Sequence, residues 1–210
     1  MEYKIIPVTT YQQNCSLIWC EATSKAALID PGGEIDLLLS KVEHFGVKLD
    51  KILLTHAHLD HVGAARLIAD QIDIPIIGPH QADAFWFEML PKQAEMFGFE
   101  PLQAFFPDQW LEAGVTVNVG DEVLSVFHCP GHTPGHIVFV NEEARLAFVG
   151  DVLFKGSIGR TDFPGGDYDI LINSIKNTLL PLGDDIVFIP GHGPISNFGS
   201  ERTTNPFLTE

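Results

Sequence analysis

The stretch Thr55-His56-Ala57-His58-Leu59-Asp60-His61 constrains this chain more than any other. Three imidazoles and one carboxylate fall within six residues. His56 and His58 alternate, so on an extended or turning backbone their side chains point the same way. Asp60 and His61 follow at once, on what reads as the first turn of a helix. Imidazole and carboxylate together suit zinc, and also iron or manganese. A single run of this kind can supply half-sites for two metals. The chain then reads as a metallohydrolase or a close mechanistic relative.

Three further donors stand in comparable settings. His132 lies in Cys129-Pro130-Gly131-His132-Thr133-Pro134-Gly135-His136, Asp151 in Val149-Gly150-Asp151, and His192 in Pro190-Gly191-His192-Gly193. The neighbouring glycines let the backbone turn sharply and approach a bound group. A lone histidine after a strand is more often a core or surface residue than a ligand. The cluster at 56–61 reverses those odds, because such a density is hard to obtain by chance. One arrangement uses all seven residues. His56, His58 and His132 hold one divalent ion, Asp60, His61 and His192 hold a second, and Asp151 bridges. A hydroxide between the ions completes both shells and keeps the site near neutral. Two cations lower the pKa of that shared water, polarise a carbonyl and steady an oxyanion.

The remaining residues fit a scaffold for such a site. Residues 3–7, 15–20 and 26–29 read as short strands ending at the turn Asp30-Pro31-Gly32-Gly33. Ile35, Leu38, Leu39, Val42 and Phe45 recur at helical spacing, and the helix ends at Gly46. Residues 51–54 form a strand that delivers the histidine block. A helix is expected over 62–71 and a strand over 74–77. Residues 80–113 form a helical insertion rich in Phe, Trp, Met and Pro, with a helix over 81–90. Strands resume at 115–119, 123–128, 137–140 and 145–149. A Gly-rich stretch, 155–167, precedes a helix over 168–180 and a last strand over 186–189. Two runs of strands, each with its own helices, predict an α/β chain of two face-to-face sheets with helices outside. Every candidate ligand follows a strand, where such scaffolds hold their chemistry.

Bulk properties narrow the partners. The 210 residues suit one domain. With 28 acidic and 12 basic residues the net charge is −16, which argues against nucleic acid and against an anionic membrane surface. Cys15, Cys20 and Cys129 make no disulfide framework. Neither a signal peptide nor a membrane span is evident, so the cytoplasm is the default location. A monomer fits these properties. His44 reads as solvated and His80 as a helix start, while His128 and His136 orient a ligand or pack beneath it. Asp30 either stabilises its turn or accepts from a ligand imidazole.

The ordered set of His-x-His-x-Asp-His at 56–61, His132, Asp151 and His192, with Asp30-Pro31-Gly32 before it, resembles the metallo-β-lactamase superfamily. The resemblance covers nearly the whole chain and implies a single-domain, four-layer αββα sandwich with two metals at one edge. Within the superfamily the chain is similar to the glyoxalase II branch, the hydroxyacylglutathione hydrolases, and to a short bacterial subgroup of YcbL type. That branch implies hydrolysis of a glutathione thioester, S-lactoylglutathione to lactate and glutathione, a step of methylglyoxal detoxification. A bridging hydroxide attacks the thioester carbonyl, and Asp60 accepts a hydrogen bond from it. Zinc is the first expectation for both ions. The resemblance also places Arg160, and more weakly Lys155, near the glutathione carboxylate.

Departures matter too. Longer glyoxalase II enzymes continue into a helical glutathione-binding domain, whereas here only residues 197–210 follow. Asp162 and Pro194 stand where those enzymes have substrate-contacting tyrosines. Aromatic residues around Phe85, Trp86, Phe87, Phe97 and Phe99 either cover the site or pack beneath the insertion. The competing reading is a mononuclear Fe(II) persulfide dioxygenase on His56, His132 and Asp151. Gly-Arg-Thr-Asp-Phe at 159–163 and Glu-Arg-Thr-x-Asn-Pro at 201–206 resemble segments of that branch. A nuclease of the same superfamily is disfavoured by the charge.

Overall fold

Strand β8 (Ile137–Asn141) is buried at every position. Ile137 and Phe139 face one hydrophobic cluster, whereas Val138 and Val140 face another. A strand covered on both sides carries apolar residues continuously instead of alternating with polar ones. The computed structural model, which describes residues 1–209, shows why.

Five strands form the first sheet in the order β1-β2-β3-β4-β5: β1 (Glu2–Val8), β2 (Gln13–Trp19), β3 (Lys25–Ile29), β4 (Lys48–Leu53) and β5 (Ile76–Ile77). The second sheet runs β13-β12-β9-β8-β7-β6, with β6 (Thr116–Val119), β7 (Glu122–His128), β9 (Leu146–Gly150), β12 (Val187–Pro190) and β13 (Ser196–Asn197). A separate hairpin joins β10 (Leu153–Phe154) and β11 (Ser157–Ile158). Ile18, Ala27, Ile29 and Leu53 of the first sheet share one cluster with Val126, Phe139, Phe148 and Ile189 of the second. That shared cluster is the central layer between the sheets.

Helices cover the outer faces. α1 (Ile35–Phe45), α3 (Ala65–Ile72), α4 (Ala84–Glu88) and α5 (Leu90–Phe97) bury Leu38, Ile68, Phe87 and Leu90 against Leu17, Leu28 and Ile52. On the other side α6 (Tyr168–Asn173) and α7 (Phe198–Thr204) bury Leu171 and Phe198 against Val138, Val149 and Phe188. Helix, sheet, sheet and helix make four layers, as the sequence predicts.

Several boundaries differ from expectation. The helix over 62–71 is broken, with a short α2 (Leu59–Val62) ahead of α3. The Ala64 amide donates to the Pro31 carbonyl at 3.0 Å, which diverts it from a helical ladder. The insertion carries a second helix, α5, beyond the expected one, with Pro91 in its first turn. The helix over 168–180 is α-helical only to Asn173, then widens into a π-type turn and tightens into a 3-10 turn at Pro181. The hairpin β10–β11, strand β13 and helix α7 are short, and no periodic pattern announces them. Among the described residues no helix is long and apolar enough to cross a membrane.

Candidate metal centre

The strand ends converge on one edge of the sandwich. β4 runs parallel to both β3 and β5, and β9 parallel to β12, so their C-terminal ends lie together within each sheet. Backbone hydrogen bonds stitch the loops: Ile137 N–H to the Thr55 carbonyl at 2.8 Å, and Gly191 N–H to the Gly150 carbonyl at 2.7 Å. β4 therefore delivers residues 55–61, the β7–β8 turn delivers His132, and β9 and β12 deliver Asp151 and His192.

Three donor groups form among the described residues; one of them, Asp30 with His56 and His61, is joined by hydrogen bonds through Asp30, and the other two face the open edge. His56, His58 and His132 place ligand atoms within 4.8 Å of one another, and so do Asp60, His61 and His192. Asp151 lies between them. Its Oδ2 is 3.7 Å from the Nε2 atoms of both His132 and His192, and its Oδ1 is 3.5 Å from His61 Nε2. Asp60 Oδ2 is 3.1 Å from His192 Nε2 and 3.8 Å from His61 Nε2. All seven residues named from the sequence for two ions thus meet in one place.

The hydrogen bonds behind the donors fix which ring atom faces inward. Asp30 accepts from the Thr55 amide at 2.7 Å, the Thr55 hydroxyl at 2.5 Å and His61 Nδ1 at 2.9 Å. The Thr55 hydroxyl proton is thereby spent on Asp30, so its oxygen accepts from His56 Nδ1 at 3.0 Å. His132 Nδ1 donates to the Arg160 carbonyl at 2.7 Å, and His192 Nδ1 to the Tyr11 carbonyl at 3.1 Å. Each assignment leaves an Nε2 lone pair directed into the site. His58 faces His132 Nε2 with its Nδ1, at 3.0 Å.

Among the described residues, His56 Nε2, His61 Nε2 and Asp151 Oδ1 are buried without a hydrogen-bond partner. An unpaired buried polar atom costs about 1–3 kcal/mol. A divalent cation in each of the two groups at the open edge would satisfy these atoms, so the residues fit a dinuclear metal site. Titration behaviour agrees at the first group, whereas at the second an ion has to displace a proton from His61. Burial, reinforced by neighbouring imidazoles, holds His56 and His58 well below the ordinary histidine value, neutral and ready to ligate. Burial opposes charge on His61 too, but Asp151, Asp60 and Asp30 outweigh it and raise the group to about 9. Burial likewise opposes the Asp60 charge, yet His61 and His192 hold it below the usual carboxylate range.

Two glycines permit the close fit. Gly150 has φ 48°, a left-handed conformation, and a Cβ there would lie 2.5 Å from Thr55 Oγ1 and 2.7 Å from His136 Nε2. A Cβ on Gly191 would overlap Asp151 Oδ1 and come within 2.7 Å of His61 Cε1.

Other histidines take supporting places. His136 stacks on His56 at 4.6 Å and its Nε2 accepts from the Asp151 amide at 3.1 Å, so it packs beneath the site. His128 donates to the Pro134 carbonyl at 2.9 Å and stacks on His80 at 4.3 Å. His80 caps the turn before α4, its Nδ1 accepting from the Ala82 amide. Arg160 lines the cavity, paired with Asp162 through two bonds of 2.8 and 2.9 Å and lying 4.4 Å over the Phe163 ring. Lys155 is exposed at the end of β10, outside the cavity lining.

Asp83 and Gln93 escaped the sequence reading. Buried Asp83 accepts from the Ala57 amide at 3.1 Å, the Thr133 hydroxyl at 2.9 Å and the Gly135 amide at 2.6 Å. It ties the 55–61 loop to the 129–136 loop. Gln93 accepts from the Leu59 amide at 3.1 Å and donates to the Trp86 carbonyl at 3.0 Å, bracing α2 against the insertion. Both lie in the aromatic segment, where nothing local marks them; only a map of contacts could have found them.

Comparison with known proteins agrees with this geometry. Residues 8–192 match the family model of the metallo-beta-lactamase superfamily. Hydroxyacylglutathione hydrolase GloC of Haemophilus influenzae is 50% identical over 209 residues, covering 99% of this chain and 98% of that protein. The crystal structure of the BLEG-1 B3 metallo-beta-lactamase superposes with a TM-score of 0.91 at 36% identity, over 100% of both chains. TTHA1623 in a di-iron-bound form gives a TM-score of 0.89 at 38% identity, over 98% of this chain and 100% of the other. With four layers, converging strand ends and a matching family model, the chain belongs to the metallo-beta-lactamase superfamily.

Proposed function

We propose that the protein is a cytoplasmic, dinuclear metal-dependent thioesterase of glyoxalase II type, hydrolysing S-lactoylglutathione or a related glutathione thioester. The convergence of Asp60, His61 and His192 beside Asp151 carries the proposal. A mononuclear oxygenase would leave that second group without metal. The 50% identity to a hydroxyacylglutathione hydrolase supports the same reading.

When bound, two divalent ions supply Lewis acidity, making a water nucleophilic near neutral pH and polarising a carbonyl. The protein's own residues do the rest. Asp60, kept ionised by His61 and His192, accepts a hydrogen bond from the attacking water and aims it. His56, His58 and His132 stay neutral, so no protons compete for their lone pairs. The leaving thiolate is a weak base, and no strong general acid is required. Arg160, at the cavity wall, meets a substrate carboxylate by exchanging it for Asp162. Zinc is the proposed metal; a relative with two irons keeps iron as the rival.

The deciding experiment pairs elemental analysis of natively loaded protein with two assays, S-lactoylglutathione hydrolysis and oxygen uptake on glutathione persulfide. Two metals per chain and thioester turnover are expected. Oxygen uptake with one iron per chain would sink the proposal.

A further inference from the structure

A cavity of about 620 Å³ opens in front of the donors, within the size range of small-molecule sites. His58, Asp60, His132, Asp151 and His192 line one part of it. Trp86, Met89, Met96, Phe97, Phe99 and Phe163 line much of the remainder. The apolar wall begins at the donors themselves. The Trp86 ring meets His58 edge-on at 4.5 Å, and Phe163 lies 5.0 Å from His58 and 6.0 Å from His132. Tyr11 stacks on Phe99 at 5.8 Å, bringing the β1–β2 turn against the insertion. Met96 and Phe97 are 65% and 45% exposed at this cavity, a conspicuous apolar surface to leave in water. Paired methionines give such a wall the freedom to repack around varied shapes.

A lactoyl group is three carbons with a hydroxyl and would cover little of this surface. Charge points elsewhere in the same cavity. Arg160 is held by Asp162 and Phe163, whereas Lys92 forms no ion pair among the described residues. We propose that this site selects a bulky apolar acyl group, aromatic or about six carbons long, on an anionic thiol whose charge meets Lys92 in addition to Arg160. The inference rests on the thioesterase reading above. The reaction is simple hydrolysis: water adds to the carbonyl carbon, the carbon–sulfur bond breaks, and the thiolate leaves and takes up the proton.

The test keeps the carrier constant. Metal-loaded protein is assayed on lactoyl-, acetyl-, butanoyl-, hexanoyl- and phenylacetyl-glutathione. Burial of each methylene is worth up to about fourfold in kcat/KM, so hexanoyl should exceed acetyl by at least roughly tenfold and should exceed lactoyl. In a Met89→Ser/Met96→Gln double variant the hexanoyl-to-acetyl ratio should fall to roughly threefold or less. Binding is read separately on metal-free protein by tryptophan fluorescence, where S-hexylglutathione should bind about tenfold tighter than S-methylglutathione. Brisk lactoyl turnover with a flat acyl series and equal thioether binding overturns the apolar-acyl inference alone. Failure to hydrolyse any thioester overturns the thioesterase reading and this inference with it.

Discussion

Every candidate imidazole has two ring nitrogens, and the one turned away from the site decides what the other can do. Asp30 governs two of them, His61 directly and His56 through Thr55. Asp30→Ala should therefore weaken both half-sites, whereas Asp60→Ala removes a donor from one. For Asp60→Ala we expect metal content to fall from two towards one per chain and thioester kcat/KM to drop at least about a hundredfold. Unchanged turnover with two metals bound would refute that role. Asp83→Ala leaves three donors on two loops unpaired, at about 1–3 kcal/mol each when fully buried. Partial relaxation brings the expected loss to roughly 3 kcal/mol, measurable by denaturant unfolding.

Sequence patterns read best where periodicity ran long. α1 and strands β7 to β9 lie close to where apolar spacing placed them. The split of α2 from α3 was hidden, because it depends on a carbonyl at Pro31, far away in sequence. The candidate ligands stand out as a set because they follow strand ends in clustered motifs, and the structure brings them within reach of one another. Asp83 does not stand out, since its partners at Ala57, Thr133 and Gly135 come together only once two loops pack. Turn geometry is just as demanding at this scale. In Gly191→Ala, the turn after β12 gains a methyl that overlaps Asp151 Oδ1. The variant should keep its far-ultraviolet circular dichroism while binding less than about one equivalent of metal. Full metal content in a folded Gly191→Ala protein would contradict the packing described.

Across the whole molecule, the metal-free protein should be most stable near the ordinary histidine value of 6.5. His61 has a folded value of about 9, above its unfolded one. Its stabilisation is full below pH 6.5 and fades as pH rises through 9, on the order of 3 kcal/mol. His56, His58 and His136 have folded values well below their unfolded ones. The unfolded chain then takes protons that the folded one refuses, so stability also falls as pH drops below 6.5. Calorimetry on chelator-treated protein checks both slopes; a melting temperature that climbs from pH 6.5 to 9 would count against this. Restoring both ions should raise Tm by roughly 20 °C at micromolar ion and nanomolar Kd.

Of the seven candidate ligands, His56, His58, Asp60 and His61 come from the first sheet's side and His132, Asp151 and His192 from the second's. Each of the two groups at the open edge draws on both sides. A bound ion is therefore a rivet through the sandwich, and neither half alone can hold it. Ion capture has to follow docking of the halves during folding. Prying the halves apart has to break metal bonds along with the hydrophobic seam. The loaded protein should accordingly resist pulling from its two sheets far better than its melting temperature alone would suggest.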